Sequence, residues 1–208
     1  MRESIFLAND QDLTEVQQFW YRIYVAEMQR HISDPLTDHD SKSLHDPLAC
    51  VGDLFIARDE HQQVIATLMT TIATNDLGKY EHLYGIDRLS ANDRARASIT
   101  TKLMVAPTYR KTRVPMLIAT TTYRHLLSCG IDTDYIDCND HLVEFFLRLG
   151  YKPHRGRINH QDYGAVNSMV LQLRDATHME SVGSPLLKHL QDFNQQANQK
   201  SKEASHAA

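Results

Sequence analysis

The chain is short of the residues that build cross-links and nucleotide cradles. Three cysteines, Cys50, Cys129 and Cys138, are an odd number with no Cys-x-x-Cys spacing. That excludes a disulfide framework and a cysteine-built zinc site, and it fits a reducing cytoplasm. The eight glycines form no GxGxxG, Walker or GxSxG pattern, so dinucleotide, nucleoside-triphosphatase and hydrolase readings lack their signatures. A formal charge of −4 excludes nucleic-acid binding driven by net charge. Long hydrophobic runs are missing too. The N-terminal one spans only Ile5 to Ala8, too short for a signal peptide or an integral membrane segment. No internal repeat is visible.

What is present suffices for a folded core: 208 residues, 42% hydrophobic. One domain is expected over 1–190, followed by a polar tail at 191–208. The stretch Gln195 to Ala208 lacks periodicity and reads as frayed or disordered. A short strand is expected around Ser4 to Leu7. Asn9 or Asp12 would then cap a helix whose apolar positions Leu13, Val16, Phe19, Trp20, Ile23 and Tyr24 recur every three or four residues.

The stretch HISDPLTDHDSKSLHDPLA, with Pro35 and Pro47, is too rich in breakers for a long helix. Its His31, Asp34, Asp38, His39, Asp40, His45 and Asp46 match no metal motif, and no metal is expected. Asp53 to Arg58 and Val64 to Ala73 read as strands joined at EHQQ, and Leu77 to Arg96 as mixed with one short helix. Ser98 to Ala106 is a β-branched strand stopped by Pro107. Pro115 then opens a helix to about Ser128, closed by Gly130. Tyr135 to Cys138 is a strand, His141 to Leu149 a helix capped by Gly150, and Ser168 to Leu173 a last strand before a partly helical end. Strands alternating with helices after a hairpin give an α/β class with a mixed sheet.

The run ITTKLMVAPTYRKTRVPMLIATTTYRHLLSCGIDTDYIDCNDHLVEFFLRLGYK carries two motifs. One is V-x-P-x-x-R at Val105, Pro107 and Arg110. The other is N-x-x-[AL]-x-x-[LF]-[YF]-x-x-L-G-[FY] at Asn139, Leu142, Phe145, Phe146, Leu149, Gly150 and Tyr151. Together they resemble the core of the GCN5-related N-acyltransferases (GNAT). With YRIYVAEMQR upstream and HQDYGAVNSMVLQLRD downstream, the chain is similar to the FeeM-type long-chain N-acyl amino acid synthases, relatives of the acyl-homoserine lactone synthases. The resemblance implies a GNAT fold, a mixed central sheet with splayed strands flanked by helices. It also implies transfer of a fatty acyl group from a phosphopantetheine thioester, on acyl carrier protein or CoA, to an amino acid or related small amine. No permanently bound cofactor is implied.

Within that resemblance, the strand Leu103, Met104 and Val105 lines the pantetheine arm, and the Val105 N–H faces the thioester carbonyl as an oxyanion donor. Asn139 contacts the arm, and Phe146 stands where many GNAT enzymes carry a tyrosine acid. The family glycines are replaced by Arg113 and Pro115. Arg110, Lys111, Thr112, Arg113 and Val114 nevertheless lead into a helix N-terminus, whose N–H groups and dipole favour phosphate.

Between Thr108 and Arg157 eight basic residues face five acidic ones. Arg148, Lys152, Arg155 and Arg157 there are candidates for meeting an acidic carrier protein. The strand glutamate of the autoinducer synthases is absent, with Ile99 in its place ahead of Thr101 and Lys102. By chemistry alone Glu81, Asp87, Asp137 and His141 remain as bases, and Cys138 beside them reads as a buried strand cysteine. Three alternatives stay open: an acetyl-CoA-dependent acetyltransferase, an acyl-homoserine lactone synthase, and a non-catalytic fold that binds acyl carrier protein.

Overall fold

The computed structural model describes residues 4–30, 36–160 and 164–206. The strands are β1 (Ser4–Leu7), β2 (Thr37–Asp38), β3 (Ser43–Leu44), β4 (Asp53–Arg58), β5 (Val64–Ile72), β6 (Ala97–Val105), β7 (Thr133–Cys138), β8 (Lys152–His160) and β9 (Gly164–Gln172). The α-helices are α1 (Leu13–Tyr21), α2 (Lys79–Tyr84), α3 (Ala91–Ala95), α4 (Val114–Ser128), α5 (Val143–Leu149), α6 (Ala176–Ser181) and α7 (Leu186–His206). Seven strands form one sheet in the order β1-β4-β5-β6-β7-β9-β8, and β2 pairs with β3 as a separate ribbon. Within the large sheet β6 and β7 run parallel, joined by the α4 crossover, and the other described pairings are antiparallel.

Alternation on the strands sorts the core. Ile56, Met69 and Ile99 pack under Trp20 and Phe19 of α1 and Tyr84 of α2 on one face. Phe55, Ile65 and Leu68 meet Val114 and Ile118 of α4 on the other, and Ile136, Met169 and Leu171 meet the rest of α4 with α5 and α7. Asp12 does stand at the start of α1, but its carboxylate is held by Arg58 at 2.8 Å, and Glu15 receives the other guanidinium nitrogen at 2.6 Å. These two ion pairs fasten the first turn of α1 to the end of β4.

Several parts of the chain differ from the sequence expectation: Leu77 to Arg96 holds two short helices, α2 and α3, where one is expected, and the last strand opens at Gly164 rather than Ser168. Lys152–His160 is a full strand, β8, at the sheet edge. Its run KPHRGRINH has no apolar alternation, because an exposed edge strand needs none. The expected disordered tail at 191–208 is helical through His206 in α7. Its Gln, Ala, Lys and Glu residues are good helix formers, and the docked Leu186 and Leu190 supply the nucleus that a polar segment cannot build alone.

Candidate functional site

The β6–β7 ladder stops before the end of both strands. Paired residues run from Ala97 with Thr133 to Thr100 with Ile136, after which β6 follows β5 and β7 follows β9. A cavity of about 590 Å³ fills the resulting V. Its walls are the far halves of β6 and β7, the start of α5 and the segment following α1.

That last wall has a local cause. α1 passes into a π-helical turn, Arg22–Glu27, in which Met28 N–H reaches back to the Ile23 carbonyl at 3.0 Å. The wider turn breaks the 3.6 period and brings Tyr24, Glu27 and Met28 to the cavity beside the buried Ile23, which lines it as well. Gln29, at φ 52°, ends the helix, and Arg30 follows with its guanidinium on Asn139 Oδ1 at 2.7 Å. That bond fixes the Asn139 amide, with its NH2 group as the remaining donor.

β6 carries a second irregularity. Lys102 has φ 57°, and the register against β5 slips between Thr67 and Met69. This bulge turns Lys102 away from the face of Ser98 and Thr100 and towards α1. There its side chain is 2% exposed, paired with Asp46 at 2.5 Å and lying near the rings of Trp20 and Tyr24. Thr67 secures the bulge: its hydroxyl donates to the Lys102 carbonyl at 2.9 Å and accepts from Trp20 Nε1 at 3.0 Å.

Past the bulge, Ala106 N–H bonds the Ile65 carbonyl and Val105 stands opposite Ala66. Alternation therefore directs the N–H and carbonyl of Val105 away from β5, to the open side. The carbonyl accepts from Arg110 Nε at 2.9 Å, and the same guanidinium clasps both Glu27 oxygens at 2.6 and 2.8 Å.

Leu103, Met104, Val105, Arg110, Lys111, Asn139 and Phe146 all line this cavity. Thr112, Arg113 and Val114 stand off it. Thr112 Oγ1 accepts from Val114 N–H at 3.2 Å, capping α4 locally, and the Val114 side chain is buried under the sheet. Of the candidate bases, Asp137 and His141 reach the cavity and Glu81 and Asp87 do not. Glu81 is clasped by Arg94 at 2.7 and 3.0 Å, which holds its carboxyl below the ordinary range; Asp87 is lowered in the same way by His82.

Cys138 lies against Met169 Sδ at 3.6 Å, and burial pushes its thiol up to about 12, which removes it as a nucleophile. His31 and Asp34 lie outside the described residues. Asp38, His39, His45 and Asp46 hold turn amides, Tyr21, Ser43 and Lys102. No group of three metal-ligating side chains converges among the described residues. No helix among them is long and apolar enough to cross a membrane.

No protein-family model and no curated protein matches the sequence. Solved structures do match its shape. FeeM, an N-acyl amino acid synthase from uncultured soil microbes, gives a TM-score of 0.67 at 11% identity over 90% of this chain and 98% of its own. BjaI, a CoA-dependent acyl-homoserine lactone synthase with SAM and isopentyl-CoA, gives 0.66 at 12% over 88% and 91%. A GNAT-family acetyltransferase of Staphylococcus aureus Mu50 gives 0.57 at 15% over 83% and 99%. The chain has the GNAT fold. The splayed parallel pair expected of that fold is the β6–β7 opening. Of the residues in the two sequence motifs, Asn139 and Phe146 stand on its β7 side, and Val105 and Arg110 on its β6 side.

The sequence reading missed Arg30, Tyr84 and the pairing of Lys102 with Asp46. One signal for the last was present. A lysine inside the strand run SITTKLMVA must find a carboxylate if the strand is buried. The basic edge is also less available than its composition implied. Lys152 pairs with Asp175 at 3.1 Å and Arg157 with Asp140 at 3.3 Å, and Arg155 donates to the His82 carbonyl at 3.0 Å.

Proposed function

We propose that the protein is an N-acyltransferase that moves a fatty acyl group from a phosphopantetheine thioester to the amine of an amino acid or related small amine. The donor is acyl carrier protein or CoA, and the work is cytoplasmic. The observation that carries this reading is the cavity in the β6–β7 opening, apolar at Leu68, Leu103, Met104 and Phe146 and polar at Arg30, Lys102, Asp137 and Asn139. An acyl chain fits the first set and a charged acceptor the second.

The pantetheine arm would lie along the open edge of β6, with Val105 N–H polarising the thioester carbonyl and supporting the tetrahedral oxyanion. Asn139, oriented by Arg30, would donate its NH2 group to the arm. Arg110 and Lys111 stand at the β6 end for a phosphate. Arg110 is partly committed to Glu27, and the loop lacks backbone-cradling glycines, which suits the single phosphate of a carrier arm better than a pyrophosphate. A thiol with pKa about 8.5 leaves without an acid, so Phe146 in place of a tyrosine is no obstacle.

The test is expression in a bacterial host with mass spectrometry of lipid extracts, beside an Arg110→Ala, Asn139→Ala variant. New N-acylated amino acids that vanish in the variant are expected, and they identify chain length and acceptor together. Folded wild-type protein that yields none, even when supplied with acyl-CoA or acyl carrier protein and mixed amines, would instead favour a carrier-binding protein without turnover.

A further inference from the structure

We propose that Asp137 is the general base of this transfer, taking the proton from the acceptor's ammonium group inside the cavity. The assignment rests on the acyltransferase reading and adds a residue to it. Two described carboxylates reach the cavity wall, Glu27 and Asp137. Arg110 occupies both oxygens of Glu27. Asp137 takes one hydrogen bond, from Tyr84 Oη to Oδ2 at 2.7 Å, and its other oxygen accepts from no described residue. Tyr84 is itself fixed, fully buried between Tyr80 and Tyr135 with ring centroids 6.0 and 6.3 Å away. A carboxylate anchored at one oxygen and open at the other is aimed and still able to accept a proton.

The surrounding charges set its balance. From α2 come Tyr84 and the positive charge of Lys79. From β6 comes Lys102, whose own charge is offset by Asp46. Arg30 and the exposed His141 line the same cavity. Burial, the largest influence, raises the Asp137 carboxyl above its ordinary value, and the Tyr84 bond and the two lysines lower it. The net rise brings it nearer the working pH, which favours a general base.

The step balances without a further reactant. Asp137 removes one proton from the ammonium, and the freed amine attacks the thioester carbon, forming the C–N bond. The tetrahedral intermediate then collapses, the C–S bond breaks, and the nitrogen's second proton goes to the departing thiolate. The products are an amide, a thiol and protonated Asp137, which returns its proton to solvent.

The experiment follows N-palmitoyl amino acid formation from palmitoyl-CoA and palmitoyl-acyl carrier protein with an equimolar amino-acid mixture, across pH. Asp137→Asn keeps an acceptor for Tyr84, so melting temperature and palmitoyl-CoA binding should hold while the rate at neutral pH falls about 10²–10³-fold. That deficit should narrow as pH rises through the acceptor's own amine pKa, where no base is needed, and Asp137→Glu should recover part of the rate. Tyr84→Phe removes a bond that holds the carboxyl down, so the acid limb should move to higher pH. An Asp137→Asn rate within about threefold of wild type, or a deficit equal at every pH, overturns the assignment while leaving the acyltransferase intact. Wild-type protein that binds palmitoyl-CoA and acylates no amine removes both.

Discussion

Asp134 and Asp137 lie three residues apart on β7 and point to opposite faces of the sheet. Asp134 sits at the closed base of the V, where β6 and β7 still pair, and accepts from Ser98 at 2.5 Å, Thr100 at 2.8 Å and Tyr151 at 2.6 Å. Asp137 lies beyond the last β6–β7 pair and, among the described residues, accepts a hydrogen bond from Tyr84 alone. Burial raises both carboxyls, Asp134 to about 6, so a raised pKa does not tell the two apart. The number of donors and the access do. Three hydroxyls tie Asp134 to β6 and to the start of β8, locking the point from which the strands diverge. One hydroxyl leaves Asp137 half satisfied at the cavity. The same residue type thus serves structure on one face and, in the role proposed for Asp137, chemistry on the other.

The largest expected effect tests whether the mouth of the V is free of structural duty. Lys102 stands in it, yet its ammonium and the Asp46 carboxylate are both buried, 2% and 9% exposed. Lys102→Ala leaves Asp46 uncompensated and should cost about 3–5 kcal/mol in chemical denaturation. The double variant Lys102→Met, Asp46→Leu, which removes both charges, should regain most of that loss. If Lys102→Ala melts with wild type, the bulge needs no ion pair and the mouth is purely a binding surface.

The base of the V should declare itself through pH. Burial raises the Asp134 carboxyl to about 6 in the folded state, against 3.8 for the free, solvated side chain. The folded state therefore holds the proton more tightly. Its stabilisation is complete below the unfolded pKa and is lost as pH rises through about 6. The loss amounts to roughly 3 kcal/mol, taking 1.36 kcal/mol for each pKa unit. Carboxylates lowered by partners, such as Asp12 and Asp175, act in the opposite sense, so the comparison must be with Asp134→Asn. Relative to that variant, wild type should weaken between about pH 4 and pH 6. Parallel stability curves would mean that the three hydroxyls hold Asp134 ionised, and the contrast with Asp137 would be one of access only.

The reach of the sequence divides along similar lines. Local signals located β4, β5, β6 and α4 closely, because β-branched runs, the EHQQ turn and Pro115 act within a few residues. The family motifs placed Val105, Arg110, Asn139 and Phe146, and all four reach one cavity. β8 escaped because an exposed edge strand leaves no apolar pattern. The orientation of Lys102 escaped for a different reason: strict alternation from Ser98 puts it on the α4 face, and one bulged residue reverses that. The pairs that define the polar wall, Arg30 with Asn139 and Tyr84 with Asp137, join residues 109 and 53 positions apart. No local periodicity encodes such contacts.

The smallest expected effect concerns the space behind Phe146. A minor cavity of about 20 Å³ adjoins the main one, sharing Leu68, Thr100, Leu103 and Phe146 with it. Thr122 of α4 lines this minor cavity, and its buried hydroxyl has no hydrogen-bond partner among the described residues. An unsatisfied buried hydroxyl costs about 1–3 kcal/mol, whereas valine has nearly the same shape and similar helix propensity. Thr122→Val should therefore stabilise the protein by about 1 kcal/mol, read as a higher denaturation midpoint with an unchanged slope. A fall in the midpoint would mean that the hydroxyl is satisfied, by an ordered water or by Thr100 across the gap. The apolar end of the site would then be wetter than its lining implies, and less suited to the end of a long acyl chain.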